Sequence, residues 1–351
     1  TGSWHVAGPG FLEGIMENIV VRTWRGEVIE GVFRAHIAVV NTEGRLLCSV
    51  GDPSYTTYWR SSSKPLQALP LIESGAADEY HFTEEEIAVT CASHSGEDFH
   101  TAAVGSILHK AGLSEDDLQC GTHEIDRSLH RRELAPQQPP QRIHSNCSGK
   151  HSGMLTTSKK MGWPTVTYRD PEHPLQRLNR QNLAELSAYP SEDIRIGIDG
   201  CGVPVFSMPI QNMAHAFSKL AKPDGLSDER AQALSRLRDA MMTYPHMIAG
   251  SRRFDSDLMR EADGTVVCKG GAAALHCLGL PDQGIGIAIK IEDMDASIIP
   301  PIATAVLRQL DGLTEEVASK LDGYASFPPV KNTRDEVVGK MEMTLKLDKV
   351  S

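Results

Sequence analysis

The sequence predicts an α+β protein in which strands from both ends of the chain share one antiparallel sheet and helices cover it. Three observations carry this expectation. Short β-branched runs fill residues 19–50, a mostly helical pattern occupies the middle, and strand-like runs return after residue 264.

In chain order, Ile19-Val20-Val21-Arg22-Thr23-Trp24, Ala35-His36-Ile37-Ala38-Val39-Val40 and Leu46-Leu47-Cys48-Ser49-Val50 read as three strands. Asn41-Thr42-Glu43-Gly44 has the composition of a hairpin loop ending in glycine. Apolar periodicity predicts helices over Leu175 to Tyr189 and Glu229 to Met242. Strands are expected again at Gly264 to Lys269 and Gly284 to Glu292, then a helix near Ile302 to Leu310, and finally Met341, Met343, Leu345 and Leu347 alternate at period two. The chain reads as a single catalytic unit over 1–351, with a sheet lobe from about 15–60 and 264–351 and a mainly helical lobe over 61–263. Pro136-Gln137-Gln138-Pro139-Pro140 is the one locally biased segment and reads as a surface loop.

Composition narrows the function. The 351 residues carry 35 basic and 46 acidic side chains, a net charge of −11, which argues against nucleic acid or an anionic membrane as partner and for a small molecule. No apolar run reaches the ~20 residues of a membrane helix, and Thr1 to Glu13 lack the pattern of a secretory signal. Thr1-Gly2-Ser3 replaces an initiating Met, so a removed leader stays open. Seven scattered cysteines without a C-x-x-C pair suit reduced thiols and a cytoplasmic location.

Candidate chemistry begins at Ser61-Ser62-Ser63-Lys64-Pro65. Ser61 can cap a helix, Pro65 is tolerated in its first turn, and Pro70 should kink it soon after. Residues three apart share a helical face, and a hydroxyl becomes nucleophilic when a neighbouring lysine is kept neutral by burial. This S-x-x-K spacing is that of Ser/Lys acyl-transfer enzymes, although alone it equally describes a capped helix with a solvated lysine. Two further blocks follow in the order such enzymes use them. Cys91-Ala92-Ser93-His94-Ser95-Gly96-Glu97 supplies a second serine, and Cys268-Lys269-Gly270-Gly271 ends a strand with a lysine. Together they describe a cleft with Ser61 over the scissile carbonyl, Lys64 and Lys269 holding charge and protons, and Ser93 relaying between them.

A second cluster, Ile143-His144-Ser145-Asn146-Cys147-Ser148-Gly149-Lys150-His151-Ser152-Gly153, concentrates polar and thiol groups that are costly to bury for packing alone. Gly197-Ile198-Asp199-Gly200-Cys201-Gly202-Val203-Pro204 presents Asp199 and Cys201 from a strand end and a glycine-rich turn. The two cysteines are either inert core thiols or a metal pair; their separation matches no finger or ribbon spacing.

Ser61-x-x-Lys64-Pro65, the Ala92–Glu97 block, Asn146-Cys147-Ser148-Gly149-Lys150-His151-Ser152-Gly153 and Gly197-Ile198-Asp199-Gly200-Cys201-Gly202-Val203-Pro204 together resemble the signature blocks of the Rhizobium etli type L-asparaginases, the thermolabile or asparaginase II family. The resemblance runs from about Val20 to Leu347 and implies a fold like that of the glutaminases and serine β-lactamases. It implies two Ser-Lys pairs, Ser61 with Lys64 and Ser93 with Lys269, and leaves open which serine attacks. It also implies zinc held by Cys147, Lys150 and Cys201, a substrate pocket formed by Asp199, His94, Gly96, Asn146 and Ser148, and a homodimer.

One departure stands out. Where the resemblance leads us to expect K-x-G-A-E-G, this chain has Lys269-Gly270-Gly271-Ala272-Ala273-Ala274, with alanines in place of a glutamate and a glycine. The leading expectation is therefore an asparaginase-type amidohydrolase. Its rivals are a relative acting on another amide or ester in a biosynthetic pathway, a non-catalytic zinc or thiol binding module, and a Cys147-His151 thiol nucleophile.

Overall fold

The computed structural model describes residues 18–123 and 139–350. The chain start and Pro136, Gln137 and Gln138 of the expected loop lie outside the described residues.

Strands β1 (Ile19–Arg25), β2 (Val28–Asn41), β7 (Val267–Gly271), β8 (Leu275–Leu280), β9 (Ile285–Ile291), β10 (Val330–Lys331) and β11 (Val337–Met343) form an antiparallel sheet in the order β10-β11-β1-β2-β9-β8-β7. The two ends of the chain thus meet, β11 against β1 and β9 against β2, as the end-loaded strand pattern predicts. β2 is the organising strand. Its first half pairs with β1, whereas Ile37 to Val40 lie between β9 and β3 (Leu46–Val50), and every residue from Ala35 to Val40 is buried. A strand covered on both faces needs this unbroken apolar run rather than alternation. The Asn41–Gly44 hairpin forms, with Gly44 at φ +80°.

β8 is absent from the sequence reading. Its Leu-His-Cys-Leu-Gly-Leu run is buried at every position, so it carries neither the polar alternation nor the turn residues that mark a strand. A small separate sheet joins β4 (Thr56–Tyr58), β6 (Pro204–Pro209) and β5 (Ile196–Ile198); β5 matches the strand end expected before Asp199, whereas β6 departs from the mainly helical pattern expected there.

The helices that place the site are α1 (Lys64–Gln67), α2 (Leu69–Glu73), α3 (Glu84–Thr90), α4 (Ser148–Lys160), α5 (Ile210–Ala221), α6 (Asp228–Thr243), α7 (Phe254–Ala262) and α8 (Ile299–Gln309). α5 lies across β2, β8 and β9 and closes one face of the sheet. Among the described residues no helix is long and apolar enough to cross a membrane. α1 and α2 are separated at Ala68, with Pro70 opening α2, the break that its missing N–H and ring demand.

Gly149, in the first turn of α4, lets that helix lie directly on the end of α3: a Cβ there would overlap the Val89 carbonyl. Gly149→Ala is therefore expected to lower stability by about 2 kcal/mol, despite the ~1 kcal/mol that alanine gains over glycine in a helix. Urea denaturation measures this, and a stabilised variant would contradict the packing described.

Candidate active site

Ser61 does not cap a helix. It lies inside a 3-10 turn, Arg60–Ser63, that runs into α1, where Ser63 precedes Lys64 without a side-chain capping bond. The turn begins at Arg60, a non-glycine residue with φ +46°, and the Arg60 side chain is anchored by Asp199 (Nε to Oδ1 2.7 Å). Left-handed backbone of this kind persists only where surrounding contacts impose it, and here it precedes the residue that faces the cavity. The Ser61 hydroxyl lines a cavity of about 540 Å³ and makes no hydrogen bond with the described residues.

Lys64 is completely buried, and its amine reaches the chain that follows α3. Its Nζ donates to Ala92 O (2.6 Å), Ser93 Oγ (2.9 Å) and Asn146 O (3.2 Å). Three acceptors match the three N–H groups of an ammonium. This corrects the pairing implied by the resemblance: Lys64 bonds to Ser93, not Ser61. Nor does Lys269 bond to Ser93; its amine donates to Gly270 O (2.7 Å) and lies 3.9 Å from Asp255 Oδ2. Burial drives the Lys269 pKa down to about 8, with Asp255 opposing and Lys64 reinforcing the shift. Ser61, Ser93, His94, Asn146 and Lys269 line the same cavity, so four separate sequence blocks converge there.

Two residues expected to touch substrate instead hold a neighbour in place. The Gly96 N–H donates to His94 Nδ1 (3.1 Å), which leaves the ring proton on Nε2, and that nitrogen lies 2.9 Å from Ser148 Oγ. Ser148 in turn donates to Ile143 O (2.8 Å) and is fully buried. Both imidazole nitrogens are thereby occupied. Burial, then His100 stacked at 4.8 Å, keeps the ring's pKa well below its ordinary value, so His94 is a neutral wall of the cavity.

Cys147, Lys150 and Cys201 converge behind Asn146, all buried, and none lines the cavity. Lys150 Nζ donates to Cys201 Sγ at 3.1 Å, and Asp199 Oδ2 lies 3.8 Å from the same sulfur. The facing Cys201 thiol, with Lys64 and Lys150 nearby, pulls Cys147 well below the usual thiol range against the effect of burial. Contact with Cys147 and burial push Cys201 up. His151 Nε2 is buried without a hydrogen bond, while its Nδ1 faces Tyr168 Oη at 2.5 Å.

Asp255 and His276 are cavity residues that sequence reasoning did not assign. Asp255 takes the Gly270 N–H on Oδ2 (2.7 Å) and His276 Nε2–H on Oδ1 (2.9 Å). Burial would raise the Asp255 pKa, but His276, Lys269 and the Gly270 amide outweigh it and hold the carboxyl well below its ordinary range. Cys268 lies close to both, but its thiol, pushed up by burial, points at the Asp255 carbonyl (3.7 Å). Asp255 and His276 thus form a hydrogen-bonded couple 3.9 Å from the Lys269 amine. The one signal in the sequence was a histidine inside an otherwise apolar run.

The two alanines that replace the expected glutamate and glycine, Ala273 and Ala274, both adopt left-handed backbone (φ +58° and +53°) in the turn joining β7 to β8. A Cβ at such a position costs about 1 kcal/mol. Ala273→Gly, at the less buried of the two, is expected to raise stability by up to about 1 kcal/mol, read as a higher urea midpoint; a lower midpoint would show that the turn is not strained.

Known proteins place this arrangement. No curated protein matches the chain. Among solved structures it is similar to a β-lactamase from Mycobacterium bovis (14% identity, 78% of this chain and 94% of that one, TM-score 0.42). It is also similar to Mglu (13% identity, 86% and 73%, TM-score 0.44) and to a mutant of simvastatin synthase from Aspergillus terreus (12% identity, 74% and 86%, TM-score 0.34). A family model described as L-asparaginase II matches residues 21–343, which takes in every block described above. The chain belongs to the L-asparaginase II family and is a hydrolase acting on amides.

Proposed function

We propose that this protein is an asparaginase of the Rhizobium etli type, releasing ammonia from the side-chain amide of L-asparagine by Ser/Lys acyl transfer. The observation that carries the reading is the contrast between the two buried lysines. The Lys64 amine is fully engaged by three acceptors, whereas burial brings the Lys269 pKa down to about 8. A buried lysine whose pKa is lowered toward neutrality is suited to act as a general base. Ser61, whose hydroxyl is uncommitted, attacks the carboxamide carbon as Lys269 takes its proton. The C–N bond breaks when the leaving nitrogen receives the Ser93 proton, and Lys64 replaces that proton through the 2.9 Å hydrogen bond. Water then attacks the acyl-serine ester and gives a proton to Lys64 through Ser93, while Lys269 returns its proton to Ser61 Oγ, so that the acid leaves and the serine and both lysines are restored.

Zinc belongs to the same proposal, held by Cys147, Lys150 and Cys201. The donor set fits: two buried sulfurs, one with its thiol pKa lowered, and an amine 3.1 Å from the other suit a soft, four-coordinate cation. Bound there, the ion would supply positive charge behind Asn146, with Asp199 beside it. The seven free, buried cysteines support a reducing, cytoplasmic setting, and a homodimer is carried over with the family type.

A second reading, a larger amide or ester, has its own support. The cavity volume of about 540 Å³ is room for roughly 18 waters at ~30 Å³ each, and Phe254, Leu275, Ala296, Ile299 and Pro300 make one side of it apolar. Ammonia release from asparagine, glutamine and bulkier primary amides separates the two. Activity on asparagine lost at least ~1,000-fold in Ser61→Ala supports the first; silence on asparagine with turnover of an apolar amide supports the second.

Because the base must be neutral, kcat/KM is expected to rise with pH and level off through about pH 8, the Lys269 value. A profile flat from pH 6 to 9 would contradict that role. Zinc must displace the protons that Lys150 and the thiols carry, so its apparent affinity should increase from pH 6 to 8 in competition with a chromogenic chelator. Cys201→Ser should weaken it by more than the ~10–100-fold typical of losing an outer partner; an unchanged affinity would remove the metal from this site.

A further inference from the structure

β7 is the edge of the large sheet, and Asp255 sits against that edge from the first turn of α7. The carboxylate is the meeting point of two buried cations or donors that approach from opposite faces of the strand. Lys269 and His276 have cross-strand positions of opposite orientation, Lys269 paired with Cys277 and Gly270 paired with His276. Gly270 makes the approach possible. A Cβ there would lie 3.2 Å from Asp255 Oδ2 and 3.4 Å from His276 Cδ2, so the bare glycine leaves the space through which the imidazole reaches the acid.

The bonding is uneven. Asp255 is held by His276 at 2.9 Å and by the Gly270 N–H at 2.7 Å, yet it stands 3.9 Å from the Lys269 amine, too far for a direct hydrogen bond. His276 is 1% exposed, its ring lies 5.7 Å from that of Phe254, and its Nδ1 is buried without a partner. Asp255 is thus the ring's one polar anchor among the described residues.

We propose that His276 is a positioning residue for Lys269: by occupying one oxygen of Asp255 it keeps the carboxylate from closing onto the amine as a full ion pair, and so leaves the amine able to release its proton. The inference rests on the reading of Lys269 as the general base. The other charged group facing Lys269 is Lys64 from α1, which also favours the neutral amine. The thiols around it are Cys91 after α3, Cys147 before α4, Cys277 on β8 and Cys268 on its own strand. None of them carries the histidine's N–H to the carboxylate. His276 therefore sets how much of the Asp255 charge the lysine feels.

Two readouts on the full-length protein test this. The first is the pH dependence with which a small amine reagent, acetic anhydride, labels Lys269, mapped by mass spectrometry; the second is the pH profile of kcat/KM. In His276→Phe the freed carboxylate should raise the Lys269 midpoint by about one unit, and the rate at pH 7 should fall about tenfold while recovering above pH 9. His276→Gln, which can still donate to Asp255, should restore the wild-type midpoint. Asp255→Asn should move it down, which keeps the inference testable if the phenylalanine variant fails to fold. A labelling midpoint unchanged in the folded variants would overturn the inference, leaving His276 a packing residue. A midpoint that shifts without any shift in the rate profile would uphold it and instead defeat Lys269 as the base.

Discussion

The site depends on one buried ammonium. Lys64 ties together Ala92, Ser93 and Asn146, residues 28 to 82 positions away in the chain, through three short hydrogen bonds in a place that water does not reach. A buried amine is tolerated only when each of its donors is satisfied, so the loop after α3 and the loop before α4 are held where those acceptors must be. Ser93 is positioned from one of these loops, and Cys147, next to Asn146, from the other. Catalytic geometry and local stability here share a cause.

Around that point the other groups divide into layers. Ser61, Ser93 and Lys269 face the cavity, while the thiols with Lys150 lie behind Asn146 and the Asp255–His276 couple braces the sheet edge. The neutral His94, fixed through both nitrogens by Gly96 and Ser148, forms a rigid wall and takes no proton itself. Such a division explains why so many polar residues occur in a few short blocks: only some meet the ligand, and the remainder satisfy one another in the interior.

Much of this was legible beforehand. End strands rich in β-branched residues, the hairpin at Asn41–Gly44 and the break at Pro70 follow from local chemistry, and each formed where that chemistry put it. The convergence of Ser61, Ser93 and Lys269 was legible from the order of the motifs. Side-chain direction was not. Ser61 and Lys64 are three apart and do share a turn, yet the lysine's long stem carries its amine to a partner 29 residues away. His276 escaped notice because its importance comes from topology: β7 must be an edge strand and Gly270 must be bare before a histidine on β8 can reach an acid on α7. Of the small β4-β6-β5 sheet only the strand end before Asp199 was legible, since the three residues of β4 carry almost no periodic signal.

The central claim is that a free Ser61 hydroxyl attacks while Lys64, through Ser93, serves the leaving group. A high-resolution crystal structure of the enzyme stopped as its covalent acyl adduct tests it most directly. The account predicts an ester on Ser61 Oγ, with Ser93 Oγ beside the site vacated by nitrogen and the Lys64 amine still bonded to Ser93. An ester on Ser93, or a Lys64 that has turned to Ser61, would contradict it.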